Sequence, residues 1–508
     1  MTNKQLTRLQ HNRTGEQMKQ IIYGVFLCFS MMVNLVHADE TISVSEATQA
    51  CIDCHFSYHP GIVEDWKKSR HYQTTPETAM TVTGPGKKIS ASQIPESLQK
   101  TSVGCAECHT QNPQAHTDSF EHNGFDVHAV VTPNDCATCH AVERSQYDRN
   151  IMAHAWQNLA GNPIYQDLQR TIIGRPEIKN GAVHFGPSDP VTEAETCFYC
   201  HGTKLVVKGL ETRDTDAGEL EFPIIDGWPN QGVGRINPDG SKGACSACHT
   251  RHLFSMETAR KPATCKECHN GPDVPAYKVY DNSKHGNLAS AHSGKWNFDK
   301  TPWTVGEDFS APTCATCHIS LLTNTDGKVV AERTHQMSDR LSWRIFGLPY
   351  AHPQPKEPDT SIIRNKNNQS LPCDLDGGFA SQYQIDQPER AKRTAVMQGI
   401  CKNCHDTSWV NSHWARYEHT IQTTNAATRT ATDLMRGIWK KGLASGPEKK
   451  ASLFDEPIER MWSSIWLFDA NNIRFTSAMA GGGDYGVFAE GYYNLSRRLT
   501  EMNAWMKK

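Results

Sequence analysis

The segment CFYCH, residues 197–201, contains two cysteines separated by two residues and followed at once by a histidine. The same Cys-x-x-Cys-His pattern occurs eight times along the 508-residue chain. Its copies begin at Cys51, Cys105, Cys136, Cys197, Cys245, Cys265, Cys314 and Cys401. A lone Cys-x-x-Cys pair also occurs in zinc and redox sites, but a histidine after every copy argues against both. These short segments therefore decide the fold, because each must be placed against the same kind of group.

The pattern fits covalent attachment of c-type haem, in which two thiols add to the vinyl groups and the histidine ligates the iron. The second cysteines are Cys54, Cys108, Cys139, Cys200, Cys248, Cys268, Cys317 and Cys404, and the motif histidines are His55, His109, His140, His201, His249, His269, His318 and His405. Only 37% of the residues are hydrophobic, so eight apolar porphyrins would complete the interior. The sequence predicts a mainly α octahaem cytochrome c with a haem-packed core and little β-structure.

Residues 1–38 are typical of a secretory signal peptide. A basic stretch precedes the apolar run IIYGVFLCFSMMVNLV at 21–36, and VHA precedes Asp39. We expect cleavage near Ala38, with Met18 as an alternative start, and export to the periplasm. Cys28 lies in this leader, and no later stretch is apolar enough to span a bilayer.

The charge of the chain bears on its partners. The leader carries a net +3, so the formal net charge of −3 becomes −6 in the mature protein. Nucleic acid is an unsuitable partner for such a surface. A basic or dipolar redox protein, a cytochrome c or a quinol-linked donor, suits it better. Cys373 is the one cysteine left over in the mature chain, and we interpret it as a small buried hydrophobe.

All eight motifs lie in residues 39–410, the predicted haem-binding catalytic domain, whereas 411–508 contain none. This tail has two apolar stripes with the spacing of one helix face, and it predicts a C-terminal bundle of long helices. The stripes are Ile458, Met461, Trp462, Ile465 and Trp466, then Phe488, Tyr492, Leu495, Leu499 and Met502. Between the fourth and fifth motifs, residues 202–244 contain alternating runs and many turn residues, which predict a hairpin-bearing loop.

Histidine is the expected second iron ligand in a low-potential haem relay. The chain has 24 histidines; two lie in the leader and eight in the motifs, which leaves 14 for at most eight positions. Counting therefore does not show whether any iron is open. Sequence context favours His71, His128, His154, His252, His285, His335 and His59, with His352 as the rival of His59.

Longer stretches, CHTRH (248–252), DNSKHG (281–286), APTCATCH (311–318) and the helical tail, resemble the octahaem hydroxylamine oxidoreductase family. The resemblance covers nearly the whole mature chain. It implies a mainly helical fold, a homotrimer and seven bis-histidine haems around one catalytic haem. By motif order that haem is the fourth, held by Cys197, Cys200 and His201. We expect the tail 411–508 to form the trimer contacts.

Three positions bear on the direction of catalysis that this resemblance implies. Oxidative members have an Asp-His pair after the sixth motif, whereas this chain has Asp273 followed by Val274. They have a tyrosine shortly after the eighth motif, where this chain has His413. Their cross-linking tyrosine lies in a Gly-Gly-x-x-Tyr segment followed by Glu-Gly; here Tyr485 fits the first landmark and Phe488 the second.

These departures and the long 202–244 loop favour the reductive members, which lack the tyrosine–haem bond. We expect reduction of nitrite, hydroxylamine or both to ammonia at the fourth haem, with Asp273 and His413 as proton or hydrogen-bond donors. Oxidation of hydroxylamine or hydrazine at a cross-linked Tyr485 is one alternative. A passive electron carrier with eight coordinated irons is another, and reduction of sulfur oxyanions is a more distant one.

The motif count makes a prediction for the mature protein. Its intact mass should exceed that of the polypeptide beginning near Asp39 by the mass of eight haem groups, because every motif carries both thiols and the ligating histidine. Mass spectrometry of protein produced with haem-attachment machinery measures this directly. Seven or fewer groups in a fully matured sample would contradict an octahaem protein.

Overall fold

Short helices follow one another between residues 46 and 401, and several of them are the haem motifs themselves. The computed structural model describes residues 42–449, 451–481 and 483–508. The predicted leader, its cleavage point and Cys28 lie outside the described residues. The mainly α fold predicted from the sequence is confirmed, and the described sheets have two or three strands each.

The helices before the tail are mostly shorter than three turns. They are α1 (Glu46–Tyr58), α2 (Pro60–Lys68), α3 (Arg70–Gln73), α4 (Pro76–Thr81), α5 (Cys105–His109), α6 (Pro133–Ala137), α7 (Ala141–Asp148), α8 (Ala155–Ala160), α9 (Pro163–Ile173), α10 (Pro190–Glu195), α11 (Cys197–His201), α12 (Ser246–His249), α13 (Met256–Arg260), α14 (Pro262–Lys266), α15 (Ala276–Asp281), α16 (Lys284–His292), α17 (Cys314–His318) and α18 (Gln387–Cys401). The tail contains α19 (Thr407–Lys440), α20 (Pro457–Ser464), α21 (Ala470–Ala478) and α22 (Tyr492–Trp505), with π-helical turns at Ile465–Asp469 and Tyr485–Ala489.

The strands pair locally. They are β1 (Ser119–His122), β2 (Phe125–His128), β3 (Pro176–Lys179), β4 (Ala182–Phe185), β5 (Val206–Thr215), β6 (Gly218–Asp226), β7 (Trp303–Thr304), β8 (Leu322–Thr323), β9 (Val329–Ala331), β10 (Trp343–Arg344) and β11 (His352–Pro353). The pairs β1–β2, β3–β4, β5–β6 and β10–β11 are antiparallel ribbons, and β8 pairs with both β7 and β9. The hairpin predicted within 202–244 is therefore confirmed as β5–β6.

Several haem motifs form a single helical turn, as α5, α11 and α17 do. A helix places residues i and i+3 on one face, so the two thiols of a motif point to the same side. Neighbouring side chains fix where two of these turns begin. Glu107 Oε2 accepts a hydrogen bond from the main-chain N–H of Gly104 at 2.8 Å, and Thr316 Oγ1 accepts one from that of Thr313 at 3.0 Å.

The tail is built on α19, a helix of 34 residues. It begins directly after the eighth motif because Asp406 Oδ1 accepts hydrogen bonds from the main-chain N–H groups of Ser408 and Trp409, at 2.9 and 3.0 Å. The helix packs against α20, α21 and α22. The predicted boundary between residues 410 and 411 falls inside α19, so the two predicted domains share this helix. Residues 44–508 form one compact unit.

The two apolar stripes of the tail differ in how fully they are buried. Ile458, Trp462, Ile465 and Trp466 of the first stripe are all buried in one apolar cluster with residues of α19, as predicted. In the second stripe Leu495 and Met502 join this cluster, but Phe488 is 64% and Tyr492 48% exposed. The stripe is split because α22 begins only at Tyr492, whereas Phe488 belongs to a separate π-helical turn. Among the described residues, no helix combines the length and apolarity that crossing a bilayer requires.

A buried carboxyl group makes the stability of the tail depend on pH. Glu459 is fully buried in α20, and this burial raises its pKa from 4.5 to about 7. The folded chain therefore keeps a proton that the unfolded chain releases, so the free energy of unfolding should fall as the pH rises from about 4.5 to 7. We expect Glu459→Gln to melt about 2–4 °C above the wild type at pH 7.5 and level with it below pH 4.5.

Thermal melts of the holoprotein followed by circular dichroism measure this difference. Glu501→Gln is the matched control, since Glu501 lies on α22 in a half-exposed ion pair with Arg497. A Glu459→Gln protein whose melting temperature tracks the wild type at every pH would show that the carboxyl ionises without cost.

Candidate functional site

Main-chain carbonyl groups orient the motif histidines. The Nδ1 atom of His109 lies 2.8 Å from the carbonyl oxygen of His128, that of His201 lies 3.2 Å from that of Ala155, and that of His318 lies 3.2 Å from that of Met337. An N–H bonded in this way fixes the plane of the ring and leaves Nε2 to bind a metal. The motif histidines therefore fit the role of iron ligands.

A second histidine faces the ring of four motif histidines. Two imidazoles on opposite sides of one metal, each at about 2 Å, hold their ring centres roughly 6 Å apart. The matching pairs are His55 with His122 at 6.2 Å, His140 with His71 at 6.3 Å, His249 with His335 at 6.4 Å and His405 with His285 at 6.1 Å. These residues fit bis-histidine haem c at the first, third, fifth and eighth motifs. His109 and His128 have the same spacing, 6.0 Å, but the ring of His128 is stacked on that of His116.

The first motif differs from the expectation based on sequence. His59 ends α1 and stacks beside His55, with the two Nδ1 atoms 3.1 Å apart, so it does not face His55 across the space for a metal. His122 does, from the end of β1. The geometry thus favours His122 over His59. Its signal in the sequence is the turn Asn123-Gly124, both at positive φ, because Asn-Gly is the strongest short indication of a hairpin.

Three further predicted ligands have distinct surroundings. Burial, with the nearby charge of His109, lowers the pKa of His252 to about 4, which places this ring close to the second motif. His128 is buried and its Nε2 has no partner among the described residues, while its ring stacks on His116 at 3.5 Å. His154 has protein partners at both nitrogens, the carbonyl of Asp148 and the amine of Lys242. The ligand roles of these three histidines stay predictions.

The thiol groups show which motifs are neighbours. Sγ atoms of different motifs come within hydrogen-bonding distance in the pairs Cys51–Cys105, Cys136–Cys245, Cys200–Cys268 and Cys265–Cys314. Thiols of one motif also raise the pKa of a thiol in another through their charge, between the second and third motifs, the fifth and sixth, and the seventh and eighth. The motifs therefore form a connected series from the first to the eighth, and the fourth contacts the sixth.

The segment after the β5–β6 hairpin holds the fourth motif. Asn230 Nδ2 donates to the carbonyl of Phe198 at 2.9 Å, and its Oδ1 accepts from the main-chain N–H of Thr203 at 3.2 Å. Gly202 ends the motif turn at φ +88°, and a Cβ there would lie 2.2 Å from the main-chain nitrogen of Arg235. The long loop predicted between motifs four and five therefore packs directly against the fourth motif.

A cationic side chain lies close to His201. Burial lowers the pKa of His201, and the positive charge of Arg344 lowers it further, whereas Asp273 raises it. Arg344 is only partly exposed, lies 4.5 Å from the ring centre of Phe346 and makes no ion pair among the described residues. Burial also lowers the pKa of Arg344 and raises that of the neighbouring Tyr165. Arg344 and Tyr165 therefore lie beside one another near the fourth motif.

A second group of buried polar residues adjoins Arg344. His352 pairs with it across β10–β11, and burial together with the charge of Arg344 lowers the pKa of His352 to about 3. Arg474 is fully buried, and burial lowers its pKa to about 9. Tyr417 is a residue of α19 that lies near Arg474, and burial raises its pKa. Sequence reasoning missed Arg344, Arg474, Tyr165 and Tyr417, since no motif marks them, and it considered His352 only as an iron ligand.

The residues predicted for catalysis are distributed around α21. Asp273 affects the pKa of His201, so it lies near the fourth motif. Tyr485 donates a hydrogen bond to Asn472 at 3.0 Å. His413 stacks on Trp409 at 5.3 Å, and Trp409 stacks on His405 at 4.1 Å, which places His413 next to the eighth motif. Through these contacts the structure brings Asp273 and His201 together and leaves His413 at the far end of α21, where it bonds the carbonyl of Ala478.

Comparisons with known proteins bear on the class of protein. Family models described as seven times multi-haem cytochrome CxxCH and as cytochrome c554 and c-prime match residues 237–347 and 50–129. A probable nitrite reductase-hydroxylamine oxidoreductase fusion protein of Kuenenia stuttgartiensis is 26% identical over 290 residues, which cover 53% of this chain and 25% of that protein. A solved hypothetical multiheme protein is 38% identical with a TM-score of 0.86, over 93% of this chain and 98% of that one.

The chain is a multihaem cytochrome c of the hydroxylamine oxidoreductase family. Covalently bound haem c is thereby confirmed, and the count of eight stays a prediction. The reducing HAO-like protein complex of Kuenenia stuttgartiensis shares the fold, with a TM-score of 0.59 and 17% identity over 91% of this chain and 85% of that one. The chain spans only a quarter of the length of the curated fusion protein.

The geometry of the first motif of this family member makes a testable prediction. His122→Ala should abolish one low-spin signal in the electron paramagnetic resonance spectrum and create a high-spin one, because the iron held by His55 would lose its opposite ligand. His59→Ala is the matched control and should keep every low-spin signal. The reverse pattern would make His59 the ligand and His122 a neighbour.

Proposed function

We propose that this member of the family is an exported octahaem reductase that converts nitrite, hydroxylamine or both to ammonia at the fourth motif. Seven bis-histidine haems would serve as the electron relay, and a basic or dipolar redox protein would supply the electrons. Conversion of nitrite to ammonium consumes six electrons and eight protons and releases two water molecules. Bound haem c would supply an iron that coordinates small nitrogen compounds and passes electrons singly.

The charge of Arg344 beside His201 is the observation that carries this proposal. A partly buried guanidinium without a carboxylate partner among the described residues attracts a small anion. Nitrite is such an anion, whereas hydroxylamine is neutral near pH 7. A pocket of this charge therefore supports capture of an oxyanion substrate.

Protons are the second requirement. Tyr165 and Tyr417 have O–H groups whose pKa burial raises, so both stay protonated and can donate hydrogen bonds to bound oxygen atoms. Asp273 also lies near His201, and it suits transfer of protons from solvent because it is exposed. His413 remains a predicted donor, and Tyr417, which also lies on α19, is a further candidate because it is near Arg474.

Oxidation of hydroxylamine stays the second candidate because of the position of Tyr485. Its hydroxyl bonds Asn472, whose side-chain amide lies 3.5 Å from the carbonyl of Pro272, next to Asp273. In the oxidative members the cross-linked tyrosine comes from a neighbouring subunit, so Tyr485 would have to reach the fourth motif of another copy of the chain. Mass spectrometry of haem-bearing peptides decides between the two: a peptide containing Tyr485 and a haem would favour oxidation.

A passive electron carrier would require His413 or His352 as the eighth distal ligand, and His352 has a free nitrogen for this role. Its Nδ1 bonds the carbonyl of Pro353 at 2.7 Å, so Nε2 is free to act as the eighth distal ligand. A high-spin signal in the spectrum of the oxidised protein would exclude this reading, because a carrier has eight low-spin irons. The peptide analysis of Tyr485 and this spectrum together separate the three candidates. A peptide joining Tyr485 to a haem favours oxidation, eight low-spin irons favour the carrier, and a high-spin iron without that peptide favours reduction.

The homotrimer implied by the family resemblance is also part of the proposal. Exposed aromatic side chains in the π-helical turn before α22 and at the start of α22 support it, since Phe488 is 64% and Tyr493 56% exposed. Exposed aromatic groups of this size are common at subunit contacts. Sedimentation at micromolar concentration would show a trimer, and a monomer there would contradict this part of the proposal.

Replacing the cation should separate the two nitrogen substrates. We expect Arg344→Met to lower kcat/KM for nitrite about 10²-fold, the usual effect of removing one positioned donor, and that for neutral hydroxylamine only a few-fold. Ammonium formed anaerobically with reduced methyl viologen measures both reactions.

Arg460→Met is the control for the loss of an arginine, since Arg460 lies 4.8 Å from the ring centre of Phe185 in an arrangement similar to that of Arg344 and Phe346. Equal losses for nitrite and hydroxylamine in Arg344→Met would remove the argument from charge. Absence of ammonium with the wild-type protein would overturn the proposed function itself.

A further inference from the structure

Helix α21 carries three polar side chains that contact two segments distant in sequence. Asn471, Asn472 and Arg474 are all buried, with at most 1% of each side chain's surface exposed. Polar groups are seldom placed together in the interior of a helix bundle unless their hydrogen bonds are needed there. Their partners are the loop that contains Asp273 and the strand pair β10–β11.

The two asparagines hold the Asp273 loop. Asn471 Nδ2 donates to the carbonyl of Asp273 at 2.9 Å, and Asn472 Nδ2 lies 3.5 Å from the carbonyl of Pro272. Both bonds reach the main chain, so they fix the path of the loop and leave the carboxylate of Asp273 free. A change at Asn471 would therefore move Asp273 without removing any of its own atoms.

Arg474 holds the other segment. Its Nη1 donates to the carbonyl of Ile345 at 3.2 Å, and its Nη2 donates to Asn425 Oδ1 at 2.8 Å. Asn425 in turn bonds Ala351 twice, accepting from its N–H at 3.0 Å and donating to its carbonyl at 2.9 Å. Ile345 follows Arg344 and Ala351 precedes His352. These bonds therefore hold the chain directly beside the β10–β11 pair.

A single contact joins the two halves of this network. Arg474 Nη1 also lies 3.3 Å from Asn471 Oδ1, so the side chain that holds β10–β11 is bonded to the one that holds the Asp273 loop. Arg474 makes no ion pair with a carboxylate within the part of the chain that the structure describes. A fully buried guanidinium is costly to place, and simple packing would be served better by an apolar side chain of the same volume.

We propose that Arg474, with Asn471 and Asn425, is a positioning residue that holds Arg344 and His352 at a fixed separation from Asp273 beside the fourth motif. The inference rests on the proposed function only in treating those three side chains as the substrate pocket. Displacements of about 1 Å in such a pocket change rates by up to about 10²-fold, so a rigid link between its two walls has a clear use.

Hydrogen exchange read by mass spectrometry tests the link without reference to activity. In Arg474→Gln, peptides covering 270–275 and 343–353 should both exchange about tenfold faster than in the wild type, because both lose a buried hydrogen-bonded support. Asn471→Ala should accelerate chiefly the first peptide and Asn425→Ala chiefly the second. Arg474→Lys, which keeps the charge, should restore part of the protection in both.

Arg260→Gln is the matched control for loss of a buried arginine. Arg260 is 4% exposed and bonds the carbonyls of Phe298 and Lys300, away from the pocket residues. It should leave the exchange of 270–275 and 343–353 unchanged. Equal acceleration in Arg260→Gln, or exchange in Arg474→Gln that rises only within α21, would reduce Arg474 to a packing residue and overturn the proposal.

A binding measurement separates this inference from the proposed function. Nitrite titrated into the oxidised protein, followed by its high-spin signal, should bind about tenfold more weakly in Arg474→Gln, with partial recovery in Arg474→Lys and no change in Arg260→Gln. Nitrite affinity equal to the wild type in Arg474→Gln would contradict the positioning role. If the wild type neither binds nor reduces nitrite, the proposed function fails, while the exchange pattern still decides whether Arg474 joins the two walls.

Discussion

The hydrogen bond between a motif histidine and a main-chain carbonyl controls the rest of this structure. It fixes the plane of the imidazole, and the imidazole fixes the direction in which an iron and its porphyrin must lie. The carbonyls come from residues distant in sequence, such as Ala155 for His201 and Met337 for His318. The second, fourth and seventh motifs therefore each require another segment to pass close by in one orientation. The many short helices and two-stranded ribbons between residues 46 and 401 satisfy that requirement better than long regular elements would.

The sequence predicts local features of this fold well and pairings across it less well. The motifs, the β5–β6 hairpin and the helix containing Ile458 and Trp462 all follow from spacing within a few residues. His122 does not, because its pairing with His55 depends on how β1 returns to α1. His59 is nearer in sequence, yet it lies on the same helical end as His55 and stacks beside it. Proximity along the chain is a poor guide to which two rings can face each other across a metal.

The candidate pocket shows the same limit for charged residues. Arg344 and Arg474 have no motif around them, and an arginine in a sequence is most often on the surface. Their environment becomes apparent only when β10–β11, α19 and α21 are brought together. Asp273 could be found only through the family resemblance, as the residue that matches the Asp of the Asp-His pair after the sixth motif. His413 illustrates the converse, since the position after the eighth motif draws attention to a residue whose contacts are with Trp409 and the carbonyl of Ala478.

The contact of Cys200 with Cys268 has a consequence for the path of electrons. It attaches the fourth motif to the sixth, while the neighbouring thiols of the sixth and seventh motifs continue the series independently. The fourth haem would then lie on a side branch at the sixth haem. It would not be one of the haems through which electrons pass from one end of the series to the other. Charge can cross the protein from one end to the other whether or not the branch is occupied by substrate. A multi-electron reaction on the branch can draw on haems already reduced on both sides of the junction, so it need not wait for each electron to arrive from a partner.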